Sequence, residues 1–424
     1  MKIICGPKGF SYDDFKPNLS VQLYSIPDNK RLAYAGHGIA EEIRKRKISP
    51  SPRSWDFLSI ALSVICADMA GHRKKSPDGW TREFDLTIAV IDPEFWKSQA
   101  ESIQNTLNFL TTDRWCLNFT EGGYYPKPPK IGKRFDADCL TLFSGGMDSL
   151  IGTIDLVNVG RKPVTISQVV QGDQAKQKLF PQKIQCDIES LVMSHKAKVP
   201  NGETPASQRS RSIAFLAYAA LVASSLKDNN SSDVKLVVSE NGFISLNTPL
   251  TPMRVGSLST RTTHPTYLSG IQEIFDSADI GLKIHTPYAL KTKGEMLSEC
   301  KNQALINELA HQSTSCGRFL LFKKTHCGRC VPCLVRRAAF HKWRKEDRTT
   351  YVYKNLGKKG PETSGFDDVR AVAMAIIQEK ELGIRRWMGA GLASAPISNM
   401  QPYYDIAQRG LKELDDFLKT QGVT

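Results

Sequence analysis

The spacing of apolar residues changes character part-way along the chain. In the first part, residues 55–69 place apolar side chains as a buried helix does, 84–91 as a strand, 93–110 as a helix and 115–119 as a strand. That mixture predicts a small α+β unit over residues 1–134. Its end is marked by EGGYYPKPPKIGKR at 121–134, whose glycines, prolines and lysines suit a linker. Beyond it, short apolar strands at 139–143, 163–170, 234–238 and 283–285 alternate with helical patterns at 148–157, 174–192, 211–225 and 268–277. Such alternation predicts an α/β unit over 135–350, a parallel sheet with helices on both faces that holds ligands beyond the carboxyl ends of its strands. The tail, 351–424, carries amphipathic candidates at 367–380 and 405–418, separated by a stretch containing Gly, Ala and Pro. No internal repeat is visible.

Length and composition agree with two units, since 424 residues with 41% apolar content exceed one ordinary core. No run reaches the roughly 18 to 20 apolar residues of a membrane helix, and MKIICGPKGF lacks the apolar stretch of a secretory signal. A soluble, cytoplasmic protein with no membrane partner is expected. The net charge of +14 favours anionic ligands, acidic protein surfaces or nucleic acid without choosing among them.

Two motifs carry chemistry. In TLFSGGMDSLIG, residues 141–152, an apolar strand breaks into two glycines and a helix begins. Glycines let backbone approach a ligand, and amides at a helix start attract anions. Ser144, Gly145, Gly146, Met147, Asp148 and Ser149 are therefore candidate phosphate and ATP-binding residues, with Asp148 capping the helix or holding Mg²⁺. A plain strand-turn-helix is the bland alternative. The second motif is Cys316, ten residues, then Cys327, Cys330 and Cys333. Four thiolates at this spacing suit structural Zn²⁺, because a catalytic zinc would need an open position; redox cysteines are the other alternative. His326 and His341 read as ordinary polar residues of the knuckle surface.

The glycine motif resembles that of the PP-loop ATP pyrophosphatase superfamily, whose members attack the α-phosphate and release pyrophosphate. With the CGRCVPCLVRRAAF string at 327–340, the chain looks like the QueC family of 7-cyano-7-deazaguanine synthases over residues 136–344. Gly172, Asp173 and Gln174 are similar to that family's Gly-Gln turn, Arg211 and Ser212 stand where it has Arg-Asn, and Lys293 to Glu295 match its Lys-x-Glu segment. The long first unit, the helical tail, and the segments 239–242 and 262–265 depart from the biosynthetic pattern. The extended form resembles QueC-like proteins of bacterial anti-phage systems, the QatC component of the Qat system first and the type IV CBASS component second.

That resemblance implies ATP, Mg²⁺ and Zn²⁺ as cofactors and a 7-deazaguanine carboxylate as substrate, adenylated and then passed to ammonia or to a partner protein's amine. It assigns Asp148, Lys293 and Arg211 to catalysis, the last two neutralising charge. It also implies a co-encoded partner, QatB under the Qat assignment, bound through residues 1–134. A base-adenylating tRNA enzyme and a queuosine synthase are the alternatives. The basic run Arg336, Arg337, His341, Lys342, Arg344, Lys345 and Arg348 leaves nucleic acid, an acidic partner and a solvated helix face open.

Overall fold

Two short apolar runs at the start of the chain, KIICGP and LSVQL, form strands β1 (Lys2–Pro7) and β2 (Leu19–Leu23), followed by β3 (Ala33–Ala35) and helix α1 (Ile39–Lys45). The computed structural model of the protein describes residues 1–12, 15–169, 173–202, 209–226, 233–255, 261–357, 368–392 and 399–423. Helix α2 (Pro52–Ala70) starts at a Ser51 cap with proline in its first turn and is buried on nearly every side, so its apolar residues form no single stripe. Strand β4 (Glu83–Ala89), helix α3 (Pro93–Thr111) and strand β5 (Arg114–Thr120) complete the first half.

These strands form one sheet of order β3-β2-β1-β4-β5 in which every pair is parallel, Leu86 standing opposite both Ile3 and Leu117. The α+β expectation for residues 1–134 is thereby corrected to α/β. That expectation left out β1, β2 and the three-residue β3, and strand direction leaves no trace in spacing. The linker-like stretch 121–134 is irregular, but Tyr124 is stacked on Tyr24, ring centroids 4.1 Å apart.

The second half repeats the arrangement. Strand β6 (Cys139–Leu142) leads into helix α4 (Met147–Asn158), then β7 (Pro163–Gln168), α5 (Gln174–Ile184) and β8 (Ser190–Met193). Helix α6 (Arg211–Ala223), strand β9 (Val234–Val237), the single turns α7 (Gly242–Ser245) and α8 (Pro252–Val255), helix α9 (Pro265–Ser277) and strand β10 (Leu282–His285) follow. The helix expected over 174–192 ends at Ile184, shortly after Pro181, and its remainder becomes the edge strand β8. All pairs are again parallel, in the order β10-β9-β6-β7-β8, with Leu140 between Val164 and Leu236. Counted within its own half, each sheet runs third-second-first-fourth-fifth.

Helices α2 and α3 of the first half pack on α6 and α9 of the second, and one apolar core runs through both sheets. On the other face of the second sheet lie α4 and α5, backed by α10 (Lys293–Glu299), α11 (Gln303–Leu309) and α12 (Val331–Trp343). The tail forms α13 (Asp368–Leu382), α14 (Ile384–Leu392) and α15 (Gln401–Thr420), which pack with α12 and Phe243 in a separate cluster. Helix α14 occupies part of the stretch read from sequence as a separator. No helix among the described residues is long and apolar enough to cross a membrane.

Candidate active site and metal centre

Strand β6 ends at Leu142 and the chain turns at Gly145, whose φ of +84° a side chain would strain. Gly146 is the N-cap of α4, and no side chain caps the helix, so its first amides are left for an incoming anion. Ser149 Oγ donates to the Gly146 carbonyl at 3.0 Å and lies 3.3 Å from Ser144 Oγ. Met147 contributes its backbone here, for its side chain is buried in the core behind the loop.

Three elements brace this loop. Gln177 of α5, fully buried, donates to the carbonyls of Ser144 and Gln168 at 3.2 and 2.9 Å. Thr314 N–H donates to the Gly145 carbonyl at 3.3 Å, and its hydroxyl donates to Asp173 at 2.6 Å while accepting from Lys176. Asp173 thus lies at the site, whereas Gly172 of the expected turn falls outside the described residues. Arg336, 0% exposed, binds Ser313 and Ser315 on either side of Thr314.

Asp148 is buried and does not cap the helix. It forms an ion pair with Lys293 and accepts from Asn241 Nδ2 at 2.7 Å, which corrects the capping alternative. Burial would raise its carboxyl; the Lys293 ammonium and hydrogen bonds from Glu240, Lys293 and Asn241 together outweigh burial and lower it. Burial and the neighbouring Asp148 charge push Glu240 well above the usual carboxylate range, which favours its neutral form. Lys293 is delivered by the first turn of α10, where Thr292 and Glu295 form a reciprocal capping box. Arg211 begins α6 on another wall; burial lowers its pKa, and burial together with Arg211 pushes His195 down to about 4. Ser144, Gly146, Met147, Asp148, Ser149, Arg211 and Lys293 all line one cavity of about 460 Å³.

The four cysteines meet behind the loop. Their sulfurs lie within 4.8 Å of one another, with Cys316–Cys330 and Cys327–Cys333 at 3.9 Å. Zinc–sulfur bonds of about 2.3 Å put tetrahedral sulfurs about 3.8 Å apart, so the set fits Zn²⁺ with no position left for substrate. His326 is no surface residue: it is buried against Phe319 and Tyr351 and accepts from the Ser315 amide at 3.2 Å, outside the four-sulfur group. The basic run also separates. Arg336 is internal, and Arg337 reaches the carbonyls of Gly328 and Lys354 between the Tyr351 and Phe417 rings.

Residues 263–344 match the family model described as queuosine biosynthesis protein QueC. No curated protein matches the chain. The QueC-like segment contains Lys293, all four cysteines and Arg336, but begins after the glycine loop, which is identified by its geometry. Loop and segment together indicate an ATP-dependent PP-loop enzyme of the QueC type. Sequence reasoning missed Glu240, Asn241, Lys176, Thr314 and Gln177. The first two carried a signal: polar residues directly after β9 lie at the carboxyl end of a strand adjoining β6, where open parallel sheets bind ligands.

Proposed function

We propose that this protein adenylates a carboxylate of the 7-carboxy-7-deazaguanine type and transfers the acyl group to an amine. The observation that carries the reading is the uncapped α4 terminus sharing one cavity with Lys293 and Arg211, an anion cradle facing two cations. ATP supplies the adenylyl group: the carboxylate oxygen bonds to the α-phosphorus as the bond to pyrophosphate breaks. The amine nitrogen then bonds to the acyl carbon as the bond to AMP breaks, AMP departs and the amine's proton leaves for solvent. The loop amides of Gly146 to Asp148, with Ser144 and Ser149, hold the departing phosphates. Lys293 and Arg211 lower the repulsion between two anions brought together. Mg²⁺ would lie with the phosphates beside Asp148, the carboxyl that the site favours in its ionised form.

The biological reading follows the extended architecture. We infer an anti-phage enzyme most like QatC, acting on the amine of a co-encoded partner, QatB in that system. The RNA-modifying alternative finds less support, because the basic run does not form one exposed face. Purified protein with ATP and 7-carboxy-7-deazaguanine should release pyrophosphate and, with the partner added, give the partner a mass increase. No carboxylate-dependent pyrophosphate from zinc-loaded protein would overturn the reading.

A further inference from the structure

Among the described residues, several buried polar atoms lack any hydrogen-bond partner, and four of them belong to residues lining the cavity of the glycine loop: Gln168 Oε1, Ser239 Oγ, Thr263 Oγ1 and Arg254 Nη2. An unpaired buried polar atom costs roughly 1–3 kcal/mol. The residues that carry them lie together in one cavity wall, where a polar ligand would supply the missing partners. Arg254 is the charged member, 8% exposed. Its geometry is fixed before any ligand arrives: Nε donates to the Thr248 carbonyl at 3.1 Å, its own carbonyl accepts from Asn247 Nδ2 at 3.0 Å, and its amide donates to the Thr251 carbonyl at 2.9 Å.

Two carboxyls act on this charge from inside, Asp368 more than Glu240, and burial outweighs both. Glu240 faces the same cavity, but burial and Asp148 favour its neutral form. Burial lowers the Arg254 guanidinium only to about 10, so it keeps its proton at neutral pH. Nothing of the phosphate cradle uses this residue, since Ser144, Gly146 and Ser149 belong to the β6–α4 turn and Arg254 to α8.

We propose that Arg254 is the specificity-determining residue for the acid substrate, its free guanidinium nitrogens binding the substrate carboxylate within the cavity that also holds the glycine loop. The unpaired Gln168, Ser239 and Thr263 oxygens then meet the polar edge of the ring that bears the carboxylate. This rests on the adenylation reading above. Guanidinium suits the role because it pairs with a carboxylate through two parallel hydrogen bonds.

The test is calorimetric titration of the full chain with 7-carboxy-7-deazaguanine, with 7-deazaguanine lacking the carboxylate, and with a non-hydrolysable ATP analogue. In Arg254→Gln, affinity for the carboxylate should fall about 10- to 100-fold, to that of the uncharged ring. The ATP analogue should stay within about twofold of its wild-type affinity. Arg254→Lys, which keeps the charge, should recover part of the loss and raise KM for the acid with little change in kcat. A wild-type protein that prefers the carboxylate, with that preference intact in Arg254→Gln, overturns the inference alone. So does a variant that loses the ATP analogue instead. A wild-type protein indifferent to the carboxylate overturns the substrate reading and this inference with it.

Discussion

Helices α3 and α4 each begin beside the point where the strand order of their sheet reverses, between β1 and β4 in one half and between β6 and β9 in the other. The amides there meet different fates. At α3, Asp92 accepts from the Phe95 amide, and Asp56 of α2 accepts from the amides of Ile91 and Asp92 and from Trp96 Nε1. Tyr24, Trp55 and Tyr124 pack together nearby. The protein's own carboxylates and rings fill the crevice. At α4 the cap is glycine, whose own amide donates to Ser144 Oγ at 3.2 Å, no cap side chain answers the amides of the first turn, and a cavity opens. Identical strand order supplies a place for a ligand, but the residues after each strand decide whether that place is plugged or kept open.

The plugged half serves the open one by holding it. Arg82 pairs with Asp68 and Asp113 at 2.6 Å, and Ser210, next to Arg211, bonds to Asp68. Removing residues 1–134 would therefore bare the apolar faces of α6 and α9 and untie the start of α6. We expect residues 135–424 alone to be insoluble or molten. A monodisperse fragment with a cooperative thermal transition would show the halves to be separable. Partner binding should accordingly be tested with surface substitutions in the full chain.

The next largest effect is zinc removal. Structural sites of this kind carry about 10–16 kcal/mol of binding free energy that is part of folding. Metal analysis should find one zinc per chain, lost in Cys330→Ser. Because Cys316 follows Thr314 and Ser315, loss of metal should also loosen the brace on Gly145 and weaken ATP binding, with the first sheet unaffected by hydrogen exchange. Zinc-free, reduced protein of full stability would refute the assignment.

A matched pair of substitutions then contrasts the two carboxylates. Asp148→Asn should lower pyrophosphate release by about 100- to 1000-fold. Asp56→Asn should leave the rate near wild type and reduce stability instead, since its new amide nitrogen faces donors. Asp148→Ala is harsher than a pure phosphate role suggests: breaking a buried pair costs about 3–5 kcal/mol. Stability curves and rates measured together decide this, and equal rate losses in both Asn variants would break the contrast.

How much of this was legible depended on locality. The glycine turn and the cysteine spacing each lie within one short segment, so residue type and separation sufficed. Lys293 and Arg211 required the family resemblance, because one follows Asp148 by 145 residues. Arg336 read as part of a basic surface, yet the fold buries it to hold Ser313 and Ser315. The repeated strand order was invisible because the halves share topology and no apparent sequence pattern, and a parallel edge such as β3 contributes three residues.

The smallest effect separates two raised carboxyls, one in each half. Burial lifts Asp56 from an ordinary 3.8 to about 6. Burial lifts Glu413 of α15 from 4.5 to about 7, the Thr292 hydroxyl opposing that rise and Glu295 adding to it; the other charge facing it is Lys342, while Arg409 is paired with Glu295. Each folded value exceeds the unfolded one, so the protonated form favours folding. The contribution is complete below about pH 4 and is lost as pH rises through about 6 for Asp56 and about 7 for Glu413. Between about pH 6 and about pH 8, wild-type stability should thus fall by at most about 1.4 kcal/mol per pH unit through Glu413, and Glu413→Gln should flatten that slope. Asp56→Asn should flatten the curve only at lower pH. Thr292 caps the helix that carries Lys293, so the Glu413 titration should also appear in the pH profile of pyrophosphate release, whereas that of Asp56 should appear in stability alone. Thermal midpoints and rates across this range for the three proteins settle it, and superimposable slopes for wild type and Glu413→Gln would remove α15 from any role at the site.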